Sequence, residues 1–238
     1  LSLTNLRLRG LKVSDHYSSI LRAFALSMVL ASGTSVLIAF LFEGELRAGW
    51  IMVAAVPSAV SVVPFTYLMK GELEPTLVST AVIYLSALAF TPLLTFLLLG
   101  EAVDVMLLVT YVAILLLLPM MLSRPLRLLN IDPKDRTAMV NIAFFMLIVA
   151  VAGPNRDIFF NDWKVLSILL VAALARIFGI GLLWDRHLRG KKVARGRRVP
   201  EVLFSSHKNT GMAATLAIAL LGPEAAVPAT VCAVVDIA

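Results

Sequence analysis

The feature that most constrains this sequence is a series of long apolar stretches that carry almost no charge. The chain has 238 residues, of which 60% are hydrophobic and only 15% are charged. A soluble domain usually carries about 25% charged residues, whereas about 20 consecutive apolar residues suffice for a helix to cross a bilayer. The sequence therefore predicts an all-α polytopic membrane protein whose main partner is the lipid bilayer.

Hydropathy predicts seven spans and the beginning of an eighth. The predicted spans cover residues 20–42, 50–68, 77–99, 103–122, 137–153, 165–184 and 202–221, and the eighth starts at residue 225. The chain begins at Leu1 without a signal-peptide pattern and stops at Ala238 inside an apolar run. We interpret it as a fragment that lacks sequence at both ends.

Lysine and arginine concentrate in alternate connections between the predicted spans. Residues 1–15, 123–137 and 185–200 are basic, whereas residues 43–49, 100–104 and 154–164 carry few cations. Because basic loops stay in the cytoplasm, this pattern predicts a multi-pass protein of a prokaryotic inner membrane with those loops inside. The net charge of +6 then reflects topology and anionic headgroups, not nucleic-acid binding. A single cysteine, Cys232, excludes a disulfide framework within the chain and a cysteine metal cluster.

Two of the predicted spans are interrupted. The second contains Pro57 and Pro64, and proline removes a backbone hydrogen bond inside a helix. We expect that span to open between Ser58 and Val63. The seventh contains the polar run SSHKNTG at residues 205–211. A charged residue at mid-bilayer costs at least ~2.5 kcal/mol, so the lysine of this run should face protein or water.

The two interrupted spans occupy matching places, and the odd separation between them predicts opposite directions through the membrane. Interrupted helices in corresponding positions of inverted repeats indicate the midplane binding site of a secondary transporter. The polar run is therefore predicted to be a helix break that lines a cavity. No arrangement typical of a phosphate loop, a Ser-His-Asp triad or a zinc site is present in the sequence, so we do not expect an enzyme.

Two segments, residues 56–100 and 205–237, resemble the bile acid:sodium symporter family of ten-span secondary transporters. One, SSHKNTGMAATLAIALLGPEAAVPATVCAVVDI, is similar to the ninth family span and the start of the tenth. The other, VPSAVSVVPFTYLMKGELEPTLVSTAVIYLSALAFTPLLTFLLLG, is similar to the fourth and fifth. The resemblance implies that two family spans precede Leu1. It also implies an inverted-repeat fold with two crossing, discontinuous helices.

The resemblance further implies a division into a core and a panel. The core would comprise residues 1–102 and 154–238, the first and second repeats, each with one broken span. Residues 103–153 would contribute two panel spans, against which the core rocks.

The departures from the family pattern concern the two sodium sites. The family's glutamate corresponds to Phe204, its glutamine to Lys208 and its Ser-Asn pair to two valines, Val62 and Val63. These residues supply no oxygen side chains for Na⁺, and Lys208 would repel the ion. We therefore expect no cofactor, no metal site and no sodium coupling. Instead, we expect Lys208 to act as a cation surrogate, or to load and release a proton during the transport cycle.

The expected substrate and coupling site is built from polar residues of the two breaks and of the flanking spans. These residues are Lys208, Asn209, His207, Thr210, Ser206, Ser58, Ser61, Thr76, Thr80 and Asp236. Each has a simpler structural interpretation. Lys208 could snorkel to the interface, Asn209 could satisfy orphan backbone groups, and Thr210 could cap the second half-helix. Thr76 and Thr80 could bond carbonyls one turn back along their own helix.

The sequence favours a secondary active or facilitative transporter of an organic anion that works by alternating access. Within the same family, the alternative is a sodium-coupled symporter of a bile-acid-like molecule; arsenite efflux is disfavoured because relatives have cysteine where Ser58 stands. Outside transport, the alternatives are a ligand-binding membrane sensor and an intramembrane enzyme that uses Lys208, His207 and Asp236 as acid and base.

Overall fold

The computed structural model describes residues 13–100, 103–128 and 132–237, and these residues form an array of packed helices. The α-helices in chain order are α1 (Tyr17–Phe24), α2 (Ser32–Ala39), α3 (Gly44–Ala55), α4 (Val62–Leu68), α5 (Leu73–Leu99), α6 (Val105–Leu128), α7 (Pro133–Ala152), α8 (Arg156–Phe160), α9 (Trp163–Leu174), α10 (Ile180–Gly190), α11 (Arg195–Ser206), α12 (Thr210–Leu220) and α13 (Val227–Ile237). The all-α polytopic prediction is confirmed.

Three continuous helices in the described part of the chain are long and apolar enough to cross a membrane. They run Ser14–Ala39, Leu73–Leu99 and Trp163–Gly190 and correspond to the first, third and sixth predicted spans. The fourth, fifth and eighth predicted spans correspond to α6, α7 and α13. The basic residues Arg7, Arg9 and Lys12, which helped to predict orientation, lie outside the described residues.

Two of the long helices contain a widened, π-helical turn near their middle. In the first span, Ala25–Ala31 joins α1 to α2, and in the sixth span, Ala175–Gly179 joins α9 to α10. Such π segments inside α-helices often occur at functional sites. Because the first and sixth spans occupy matching places in the two predicted repeats, the widened turns also match.

The second predicted span is broken, as expected. The break covers residues 56–61, whereas the prediction placed it between Ser58 and Val63. Helix α3 ends at Ala55 and α4 begins at Val62, so Pro57 lies in the open segment. Pro64, by contrast, lies in the first turn of α4 and does not interrupt it. A proline is tolerated there because the first N–H groups of a helix have no intrahelical partner.

The seventh span starts earlier than its predicted boundary at Val202. Helix α11 begins at Arg195 and includes several charged residues. Arg197 pairs with Glu201 one turn later (Nε–Oε1, 3.3 Å), and Arg198 pairs with Asp185 of α10 (Nε–Oδ1, 2.9 Å). Hydropathy underestimated the length of α11 because a hydropathy scale counts charged residues as loop residues. In the structure, ion pairs stabilise these charges within the helix.

Helix α3, the first half of the broken second span, is deeply buried over its second half. It runs from Gly44 to Ala55 and is buried continuously from Gly49 to its end. At Gly49 an added Cβ atom would lie only 2.1 Å from the carbonyl oxygen of Ala225. Glycine is therefore required where α3 crosses the turn before α13, and this close approach brings the broken helix against the second repeat.

Candidate substrate and coupling site

The two helix breaks lie against each other and are joined by backbone hydrogen bonds. The Asn209 amide donates to the Pro57 carbonyl at 2.8 Å, and the Ala59 amide donates to the His207 carbonyl at 3.2 Å. Between them, Ser58 and Lys208 pair in an antiparallel bridge. These bonds satisfy backbone groups that would be costly to leave unpaired in a membrane. The breaks therefore form one crossover.

Each broken span contributes the C-terminal end of a half-helix to this crossover. Helix α3 ends at Ala55, and α11 ends at Ser206. The C-terminal end of a helix carries partial negative charge from its unpaired carbonyls, and it attracts cations. A buried cationic side chain lies near each of the two ends.

Lys208 is the first of these cations, and its side chain is completely buried. Its ammonium donates to the Ser27 carbonyl at 3.2 Å and to Ser32 Oγ at 2.9 Å. Ser32 in turn donates to the Ala54 carbonyl at 2.7 Å, near the end of α3. Lys208 thus points towards the widened turn of the first span and does not snorkel to the interface.

Arg176 is the second cation, and the sequence analysis did not identify it. It lies in the widened turn of the sixth span, is 1% exposed and donates from Nη1 to the Ser206 carbonyl at 3.0 Å. Its Nη2 lies 3.9 Å from Oδ1 of Asp236. The missed signal was a lone arginine inside a predicted span, since intramembrane charge is by default a functional candidate.

Asp236 and Thr210 meet beside this arginine. The Thr210 hydroxyl donates to Oδ2 of Asp236 at 3.3 Å. The simpler interpretation of Thr210 as a helix cap does not hold, because the N-cap of α12 is Asn209, whose Oδ1 accepts from the Met212 amide at 3.1 Å. An asparagine one residue earlier has the conformation and the acceptor that a cap needs.

The remaining residues predicted in the two breaks differ in exposure, and Ser206 is buried. His207 is half-buried, and its Nδ1 lies 2.9 Å from Ser206 Oγ. Asn209 is also half-buried and donates to the Tyr84 hydroxyl of α5 at 3.2 Å. In the first break, Ser61 is half-buried. Buried Ser58 has no hydrogen-bond partner for its hydroxyl among the described residues.

Thr76 and Thr80 lie on α5 but bond within their own helix. Their hydroxyls donate to the carbonyls of Glu72 and Thr76, at 2.6 Å and 2.8 Å. The buried Phe204 ring lines the same small cavity as Thr76. An apolar ring thus occupies the position at which the family resemblance implies a sodium-binding carboxylate.

A comparison with protein families identifies the group to which the chain belongs. The sequence model described as the Sodium Bile acid symporter family matches residues 18–155, more than half of the chain. The chain belongs to this family. A search of curated proteins found no match to it. The family consists of polytopic membrane transporters, so this member is an integral multi-pass protein of the transport class, not an enzyme class.

The family match and the geometry cover different parts of the site. The matched residues include the first span, the first break and α5, and they end before Arg176 and Lys208. The second half of the crossover is therefore described by the structure alone. Membership implies contact with lipid and a small-molecule substrate.

Proposed function

We propose that this member of the sodium bile acid symporter family transports an organic anion by alternating access without coupling to sodium. The observation that carries the proposal is the position of Lys208. Its fully buried ammonium donates to Ser27 O and Ser32 Oγ within the crossover. A cation bound at this place would need those same oxygen atoms. Lys208 therefore acts as a tethered cation.

On the other side of α11, the surroundings of the Phe204 ring also argue against a bound sodium ion. Na⁺ requires several oxygen ligands to replace its hydration shell. Among the described residues, the cavity beside the Phe204 ring is lined by the Thr76 hydroxyl and also by two arginines, Arg22 and Arg197. Two carboxylates line this cavity: Glu201, which is already paired with both arginines, and Glu72, which is exposed. A mobile Na⁺ beside the Phe204 ring would therefore meet two cations and would be poorly stabilised there.

The anionic character of the substrate follows from the charge of the crossover. Lys208 and Arg176 are both buried, and α12 directs its N-terminal end into the same region. Partial positive charge at a helix N-terminus and cationic side chains both favour an anion. We propose that the basic helix ends, including that of α11, face the cytoplasm of a prokaryotic inner membrane. We also propose that Lys208 carries a proton with the substrate.

The test is uptake into liposomes that contain the full-length protein, with Na⁺ and pH gradients varied separately. Labelled taurocholate, benzoate and pyruvate cover a bile salt, an aromatic acid and a small carboxylate. We expect uptake that ignores Na⁺, responds to an inward proton gradient and falls strongly in Lys208→Gln. Lys191→Gln, at an exposed turn after α10, is the matched control and should transport normally.

Each alternative predicts a different outcome. Stimulation of uptake by inward Na⁺ would contradict the proposal and indicate a sodium-coupled symporter. Binding of a probe without uptake would indicate a sensor. Chemical conversion of a probe by the solubilised protein, with no gradient present, would indicate an enzyme.

A further inference from the structure

The buried charges at the crossover do not balance. Among the described residues, Arg176 and Lys208 are buried cations near the two breaks, and Asp236 is the acid that lies with them. Glu201, the other buried acid, pairs with Arg22 and Arg197 in the first half of α11. If all three crossover groups are ionised, one positive charge remains without an internal partner.

The geometry shows which cation lacks the partner. Asp236 receives the Thr210 hydroxyl at Oδ2, while Oδ1 faces the Arg176 guanidinium at 3.9 Å. The contacts of Lys208 are a carbonyl and a hydroxyl, both of them neutral. Thus Arg176 has a counter-ion and Lys208 has dipoles only.

An ammonium with no counter-ion is costly to carry through a low-dielectric membrane interior. The cost disappears in either of two ways. An anion can bind beside Lys208, or the ammonium can lose its proton. Arginine does not have the second option, because its guanidinium stays protonated in proteins. The protein therefore pairs the permanent charge of Arg176 with its own carboxylate, Asp236. The titratable Lys208 stays available to pair with the transported anion.

We propose that Arg176 and Asp236 neutralise each other, so that each organic monoanion crosses together with one proton on Lys208 and with no net charge. This inference rests on the proposed function and adds the number of protons that cross with each anion. The proton enters from the outer solution onto the Lys208 amine, and the anion binds to the resulting ammonium. Both leave on the inside, and the carrier returns empty with a neutral amine.

Other titratable groups surround this arrangement and have to be separated from it. Among the described residues these are His207 beside Lys208, Cys232 one turn before Asp236 on α13, and Tyr84, which accepts from Asn209. Cysteine and tyrosine ordinarily carry no charge at neutral pH. Histidine titrates nearer neutrality, so His207→Gln tests its contribution and should leave the stoichiometry unchanged.

The experiment measures charge and protons for each anion taken up. Full-length protein is reconstituted into liposomes with internal pyranine, and a potassium diffusion potential is set with valinomycin. Labelled taurocholate, a permanently charged monoanion, and pyruvate are the probes. Wild type should take up one proton per anion, and an inside-positive potential should not accelerate uptake.

Variants of the pair distinguish charge balance from a merely structural role. Asp236→Asn leaves Arg176 unpaired, so the anion is balanced without a proton, and an inside-positive potential should now stimulate uptake severalfold. Asp236→Glu keeps the carboxylate and should therefore keep one proton per anion and the insensitivity to potential, even where its uptake rate falls. The double variant Arg176→Gln/Asp236→Asn removes both charges and should regain proton-coupled, electroneutral uptake. Damage to packing alone would not restore coupling in the double variant.

The outcomes separate the two proposals. Wild-type uptake that is accelerated by an inside-positive potential, or that lacks proton movement, would overturn the stoichiometry and leave anion transport standing. That wild-type measurement decides the question even where a variant does not fold. Failure of wild type to transport either probe would overturn the proposed function together with this inference.

Discussion

The hydrogen-bond chain from Lys208 through Ser32 to Ala54 predicts that the contribution of the Ser32 hydroxyl to stability depends strongly on the charge of Lys208. Ser32 Oγ accepts from the Lys208 ammonium at 2.9 Å and donates to the Ala54 carbonyl at 2.7 Å. In Ser32→Ala, a hydrogen bond to a charged group worth about 1.5–3 kcal/mol is lost, and the neutral bond to Ala54 adds about 1 kcal/mol. We expect a total destabilisation of about 3 kcal/mol.

The same substitution should cost much less when the ammonium is absent. Lys208→Met keeps an unbranched side chain, shorter by one atom, and removes the charge. Replacing a buried charge by an apolar group is often neutral or stabilising. In that background the Ser32 hydroxyl keeps only neutral acceptors, the Ala54 carbonyl at 2.7 Å and the Ser27 carbonyl at 3.2 Å. It has one hydrogen to donate, so Ser32→Ala should cost about 1 kcal/mol. The coupling energy between the two positions is then about 2 kcal/mol.

The assay is a double-mutant cycle on reversible unfolding in mixed detergent micelles, with unfolding free energies measured for all four proteins. Ser35→Ala is the matched control, because Ser35 is equally buried on α2 but donates only to the Ala31 carbonyl of its own helix, at 2.8 Å. Its effect should be the same with lysine or methionine at position 208. A coupling energy below about 0.5 kcal/mol for Ser32 would be that of independent sites and would refute the reasoning.

Three further positions, two of them with a control substitution, can be tested by thermal unfolding of the solubilised protein. Gly49→Ala should destabilise the protein by about 1–3 kcal/mol through overpacking against Ala225. As the control, Gly33→Ala places its methyl group where no atom lies within 4 Å and should be neutral or stabilising. Equal effects of the two substitutions would contradict the close approach at Gly49. Asn209→Ala should cost about 1 kcal/mol through loss of the α12 cap, and Asn209→Asp should retain most of that stability. Phe204→Ala should cost about 3–5 kcal/mol by opening a buried cavity; a loss below about 1 kcal/mol would mean that the ring is not packed there.

Much of the fold could be predicted because the membrane imposes strong local rules. A helix must supply its own backbone hydrogen bonds in lipid, so long apolar runs indicate the spans. Polar and proline-rich interruptions stand out against them, which is why both breaks were predicted. The errors concerned local compensation, as at Pro64, where the first helical turn tolerates proline, and at Arg195–Glu201, where ion pairs extend a helix into charged sequence.

The candidate site was predicted less completely. Lys208, Asn209, Thr210 and Asp236 were identified because polar residues are conspicuous in a span, and the structure brings all four to the crossover. The sequence could not show which of them bond to one another. Arg176 carried the same signal of intramembrane charge but lies outside both breaks, and its role depends on contacts with α11 and α13.

The sequence by itself determined the membrane class, the spans, the two interruptions and the presence of an intramembrane lysine, since these follow from local hydropathy and backbone chemistry. Only the tertiary structure decided that Lys208 points to Ser27 and Ser32 while Arg176 takes Asp236. The physical reason is that charge pairing in a membrane depends on distances of a few ångströms between segments far apart in the chain. Lys208 and Ser32, for example, are separated by 176 positions.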